Sequence, residues 1–208
     1  MSTSLISASI VKDLRSRTGA GIMDCKNALK KCDGKVDEAI DFLRKKGIAK
    51  AEKKAGRQVE QGIILSYIHP GNRIGVLIEV NCETDFVAKT DDFLNLVRNI
   101  AMQVAATNPL SLDRNSINKD LVEKEKNILF EQAKSSGKPD KILEKIVEGK
   151  VEKFFQENCL LEQLYIKDGN KEVQDIINQS IATLGENISI ARFSRYEVGD
   201  SIDPDNSD

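Results

Sequence analysis

The apolar residues of this chain change their spacing near residue 61, and that change constrains the fold more than any single motif. Upstream they recur three and four positions apart, as on one helix face; downstream they alternate, as on a strand with one buried face. Ile10, Val11 and Leu14 mark a first amphipathic segment. Ile22, Cys25, Ala28, Leu29 and Cys32 mark a second, and Val36, Ala39, Ile40 and Leu43 a third. Gly34 and Gly47 stand where C′ glycines close helices. Three helices of about three turns each approach the lower limit for independent folding, roughly 40 residues. A small recognition module is expected there.

From Gly62 the runs GIILSYI and IGVLIEVNC flank HPGNR. In the second run Ile74, Val76, Ile78, Val80 and Cys82 all point one way, which predicts a β-hairpin with one buried face. Phe93, Leu96, Val97, Ile100, Ala101 and Val104 then predict a helix over 91–106, with Thr90 as N-cap, Asp91 and Asp92 in its first turn and Asn108-Pro109 as its stop. A charged helix follows over 116–136, opened by Ser116. Gly137-Lys138-Pro139 breaks it and starts another, with Ile142, Leu143, Ile146 and Val147 on one face and Gly149 at its end; Val151, Phe154 and Phe155 continue the pattern. These two helices form a hairpin projecting from the sheet. A last helix, carrying Val173, Ile176, Ile177, Ile181 and Leu184, ends at Gly185 and hands the chain to ISIARFSRYEV, a strand that pairs with the hairpin. The fold class expected is α+β: a three-helix domain over 1–47, a basic linker over 48–60, and a core over 61–199 with a small antiparallel sheet and a helical insertion at about 116–160. The acidic, polar tail over 200–208 is expected to be disordered.

Composition narrows the function. The 208 residues carry 33 acids and 31 bases, a formal net charge of -2, so no global excess points to nucleic acid or membrane. Tryptophan is absent and there is one histidine, which leaves little from which to build stacking platforms or histidine-based metal and acid–base centres. The four cysteines form no C-x-x-C pair and read as reduced, semi-buried thiols. The N-terminus lacks the features of a signal or transit peptide, and no 18-residue apolar stretch follows. His69 falls in a turn, Cys25, Cys32 and Cys82 fall on apolar faces, and no phosphate-cradling glycine loop is present. The run RKKGIAKAEKKAGR at 44–57 reads as a solvated helix and linker, since a nucleic-acid patch needs stacking aromatics or a basic fold around it. Neither an enzyme nor a cofactor or metal site is expected.

One stretch stands apart. After the strand IEVNC come Glu83, Thr84, Asp85, Phe86 and Val87, and the next helix begins clearly only at Thr90. Phe86 thus sits among charged neighbours in a strand-to-helix connection. Either it folds back as a plug over the sheet, or it is an exposed aromatic beside a carboxylate, the kind of anchor that dominates protein interfaces.

RSRTGAGIMDCK at 15–26, KAEKKAGR at 50–57, EVNCETDFVAK at 79–89 and GENISIARF at 185–193 together closely resemble the translation elongation factor Ts family, over residues 9 to 199 and in its short form with one core sheet unit. The resemblance implies a guanine nucleotide exchange factor that binds GDP-bound elongation factor Tu and promotes GDP release. It implies a ubiquitin-associated-like bundle docking through Arg15, Ile22, Met23 and Lys26, with Lys54 in the linker. It also implies that Thr84, Asp85, Phe86 and Val87 form the loop that intrudes near the partner's magnesium site. A homodimer in a 2:2 complex, no direct nucleic-acid or membrane contact, and a place in the bacterial cytoplasm or the plastid stroma follow as expectations. Competing readings are a ubiquitin-associated-like adaptor whose core merely dimerises, which leaves Phe86 without a purpose, an RNA-binding protein using 44–57, and a cysteine hydrolase.

Overall fold

The computed structural model describes residues 6–134 and 139–200; residues 201–208, in the tail, and Gly137-Lys138, in the helix break, lie outside the described residues. The chain is α+β, with an N-terminal helical bundle followed by a small antiparallel sheet and further helices. The order is α1 (Ala8–Thr18), α2 (Ile22–Lys31), α3 (Val36–Glu52), β1 (Gln61–Ile68), β2 (Ile74–Cys82), α4 (Asp85–Ala88), α5 (Asp91–Thr107), α6 (Lys119–Lys134), α7 (Asp140–Asn158), β3 (Leu164–Tyr165), β4 (Asp168–Glu172), α8 (Val173–Leu184) and β5 (Ile188–Glu197). The main sheet has the order β1-β2-β5, and β3 pairs antiparallel with β4.

The chain divides into two units. The first takes residues up to Ile64 together with Glu79–Val97 and Asp175–Ala191; the second takes Leu65–Ile78, Arg98–Gln174 and residues from Arg192 onward. In the first unit Val11, Leu14, Cys25, Ala28, Leu29, Ala39 and Leu43 form the bundle core. Ser7 caps α1 by accepting from the Ile10 amide, and Gly19 ends it with φ 66°. Two expectations change here. Gly34 is not the first left-handed residue after α2, because Asp33 takes that position at φ 49°, and the Gly34 amide closes the end on the Leu29 carbonyl. Gly47 does not end α3 either. The helix runs on to Glu52 because IAKAE is good helix-forming sequence and because Lys46 and Lys50 are held by Asp24.

The buried face of β2 is the expected one, with Val76, Ile78, Val80 and Cys82 all nearly inaccessible. Thr90 caps α5 through the Phe93 amide, and Asn108 leaves the helix at φ 45°. In the second unit α6 begins at Lys119 and not at Ser116: Asn118 accepts from the amides of Asp120 and Leu121, while Ser116 is consumed by a turn on Asp113. Helix α7 likewise passes through Gly149 to Asn158, since the residues on both sides favour helix and one exposed glycine costs only about 1 kcal/mol. Ala133, Leu143 and Val147 form the small core of this helix pair. Arg114 forks onto Glu152 and Glu162 at 2.6 to 2.8 Å and stacks on Phe155, tying the loop after α5 to the end of α7. The β3–β4 pair was not anticipated. Its support is the fully buried Gln103, whose amide donates to Gln163 and the Leu164 carbonyl and accepts from the Ile166 amide.

Candidate functional site

Thr84 starts a four-residue helix too short to be stable by itself. Its side chain accepts from the Val87 amide at 3.4 Å, the capping arrangement at a helix start. The connection after β2 is therefore a helical turn, α4, and not open loop. Ala88 is buried beneath it, while Phe86 is 81% exposed. That exposure removes the plug alternative. Asp85 is exposed beside it and accepts from the Lys89 ammonium at 2.6 Å, which holds its carboxyl below the usual carboxylate range. An apolar ring and a negative charge thus project side by side from a turn fixed at both ends: Thr90, just beyond, donates to the Val87 carbonyl at 2.8 Å.

The turn is anchored from a distance. Glu186, between α8 and β5, accepts from the Thr84 amide at 3.0 Å and from its hydroxyl at 2.7 Å. Glu83 returns the arrangement by accepting from the Asn187 amide at 2.6 Å and from Arg57 at 3.4 Å. The Asn187 bond first, and the Arg57 guanidinium after it, hold the Glu83 carboxyl below its ordinary range. The buried Asn187 side chain donates to the carbonyls of Ala55 and Arg57, and Lys54 donates to the Gly185 carbonyl. Sequence reasoning missed Glu83, Glu186 and Asn187 as supports. The only available signal was that a charged Gly-Glu-Asn turn precedes an apolar strand, and that signal names no partner.

The other expected contact residues lie on the bundle. Arg15 and Lys26 are exposed on α1 and α2. Ile22 and Met23 open α2 at 56% and 65% exposure, so Ile22 leaves the apolar stripe to which spacing assigned it. The turn that presents them is held by Gln179, which donates to the Thr18 carbonyl at 2.5 Å, while Arg44 pairs with Asp175 at 2.6 Å. Among the described residues no hydrogen bond or ion pair links these four side chains to the 84–87 turn. Lys54 instead sits with the turn's supports. His69 bonds Tyr67 in the exposed hairpin turn, and Cys25, Cys82 and Cys159 are buried, with burial raising the thiols of Cys82 and Cys159. Among the described residues no cluster of three or more His, Cys, Asp or Glu is arranged to hold a metal ion, and no helix is long and apolar enough to cross a membrane.

A family model for elongation factor TS matches residues 6–200. The chain belongs to the elongation factor Ts family. It is 58% identical over 204 residues to the elongation factor Ts of Syntrophomonas wolfei subsp. wolfei, covering 98% of this chain and 95% of that one. It is 56% identical over 199 residues to that of Caldanaerobacter subterraneus subsp. tengcongensis, covering 96% and 100%. A third relative, from Moorella thermoacetica, is 58% identical over 198 residues, covering 95% and 98%. Membership assigns the protein a role in translation elongation, and the exposed 84–87 turn is its best candidate for the working surface.

Proposed function

We propose that this member of the elongation factor Ts family is a guanine nucleotide exchange factor: it binds elongation factor Tu carrying GDP and hastens GDP release. One observation carries the reading, the 81% exposed Phe86 ring standing beside Asp85 on a turn that the rest of its unit holds in place. Nucleotide diphosphate in such a GTPase is held by backbone donors, a lysine and a magnesium ion that offsets phosphate charge. Phe86 wedges the partner's helices apart, and Asp85, negative at neutral pH, disturbs the region that orders the ion. Thr84 and Val87 complete the turn, while Arg15, Ile22, Met23 and Lys26 give the bundle a separate grip, with Lys54 supporting the linker.

Exchange factor and nucleotide then weaken one another by the same factor, as coupled ligands of one protein must. Each tenfold effect takes about 1.4 kcal/mol of differential binding, so an acceleration of several orders of magnitude needs more contacts than one side chain supplies. The two grips answer that need. No covalent step, cofactor or metal of the factor's own enters, and no nucleic acid or membrane is contacted. The protein acts in the bacterial cytoplasm, or in the plastid stroma if organelle-encoded. Two copies pair to hold two GTPases, a reading supported by Ile68, Leu77 and Tyr196 in the second unit, which are 59%, 50% and 73% exposed.

The test is stopped-flow release of labelled GDP from elongation factor Tu. The intact protein accelerates release and Phe86→Ala does so far less. An unchanged off-rate with the intact protein overturns the proposal.

A further inference from the structure

The Phe86 ring makes so little contact with its own fold that its position is set by its backbone, and that backbone is set by the cap at Thr84. The Thr84 oxygen faces the Val87 amide because the hydroxyl proton is already directed to Glu186 Oε1 at 2.7 Å. The second carboxylate oxygen takes the Thr84 amide at 3.0 Å, one of the donors a helix start leaves unpaired. A single carboxylate, 102 residues further along the chain, therefore fixes both the entry of the backbone and the rotamer that caps the turn. Glu83 and Asn187 repeat the bond in the opposite sense, carboxylate of one segment to amide of the other, at 2.6 Å. Glu186 itself is half-buried, and both of its carboxylate oxygens are committed to Thr84.

We propose that Glu186 is a positioning residue for exchange: by gripping Thr84 at two points it holds α4 in the orientation that presents Phe86 and Asp85. The proposal rests on the reading of this turn as the exchange element and adds a residue that acts through it. Charge-assisted bonds of this kind are about twice as strong as neutral ones. A four-residue helix without its cap has nothing else at its N-terminal end to replace them. Loss of the carboxylate leaves the bundle surface around Ile22 and Met23 intact, so binding and release separate.

The experiment compares intact wild-type protein with Glu186→Ala, Glu186→Gln and Phe86→Ala, by stopped-flow GDP release over a range of factor concentrations and by amide hydrogen exchange of the free proteins. Glu186→Ala is expected to lower the maximal release rate about tenfold with the half-saturating concentration unchanged within about twofold. Exchange at amides 84–90 should accelerate at least about tenfold, while α1–α3 stay protected. Glu186→Gln, which keeps one acceptor and the fold, should fall about threefold and serves if the alanine variant does not fold. Wild-type rates and protection in Glu186→Gln and in a folded Glu186→Ala overturn the positioning role alone, provided Phe86→Ala is slow. A wild-type rate in Phe86→Ala overturns the exchange reading and this proposal with it, even where amide exchange reports the clamp.

Discussion

Burying an aromatic ring such as Phe86 on a partner is worth roughly 1.5–3 kcal/mol, and none of that is gained in the free chain, where the ring faces water. Phe86→Ala is accordingly expected to slow assisted GDP release by about one to two orders of magnitude while moving Tm by no more than about two degrees, measured by stopped flow and thermal melts. A large fall in Tm would assign the ring to the core instead. Asp24 is the opposite case, a side chain whose work is internal. Lys46 at 2.7 Å, then Lys50 at 2.9 Å, hold its carboxyl below the ordinary value of 3.8. The folded state therefore binds the proton less readily than the unfolded chain. The resulting stability is complete above about pH 5 and is lost as pH falls through the lowered value. Asp24→Asn is expected to lower Tm at pH 7 by about 2–4 °C, the shift for about 1 kcal/mol in a chain of this size, and to flatten the acid side of a Tm-against-pH curve. An unchanged acid slope would dismiss the pair as a surface decoration.

At the scale of elements, the positions that departed from expectation are those where a local rule met a tertiary contact or a stronger neighbour. Gly47 stands where a C′ glycine would close a helix and Gly149 where one would end, yet each sits inside a long helix whose other residues outweigh a penalty of about 1 kcal/mol. Ser116 is a good cap by type, but Asn118 stands two residues closer to the helix start and Asp113 takes the serine hydroxyl. The Asp85–Ala88 turn was invisible as a helix, being too short to show any periodicity. Gly62 gives an element-scale test that needs no partner. At φ +152° an added Cβ would stand 2.7 Å from Asn81 Cα and closer still to the Val80 carbonyl oxygen. Gly62→Ala is expected to destabilise by about 2 kcal/mol or more, read as a lower denaturation midpoint at constant m, because a strand backbone and not a flexible side chain must move.

For the whole molecule, near-balanced charge hides a basic run that the fold spends internally. Arg44 pairs with Asp175, Lys46 and Lys50 with Asp24, Lys54 with the Gly185 carbonyl and Arg57 with Glu83. These bonds order the segment after α3, so backbone order parameters over 53–57 should lie near 0.85 and not below 0.6 in relaxation measurements. Assembly is tested by sedimentation at micromolar concentration, where a clean monomer would remove the 2:2 arrangement. By itself the sequence determined the helical bundle, the hairpin with its buried face, the last helix and strand, and the stretch around Phe86, because each leaves a periodic or compositional trace within about 15 residues. Only the tertiary structure decided that Phe86 points outward, that Ile22 leaves its stripe, and that Glu83, Glu186 and Asn187 hold the turn. The hold on the turn depends on hydrogen bonds between residues 102 and 104 positions apart, and the turn before Ile22 on a bond spanning 161 positions; such pairs leave no local pattern in a single chain.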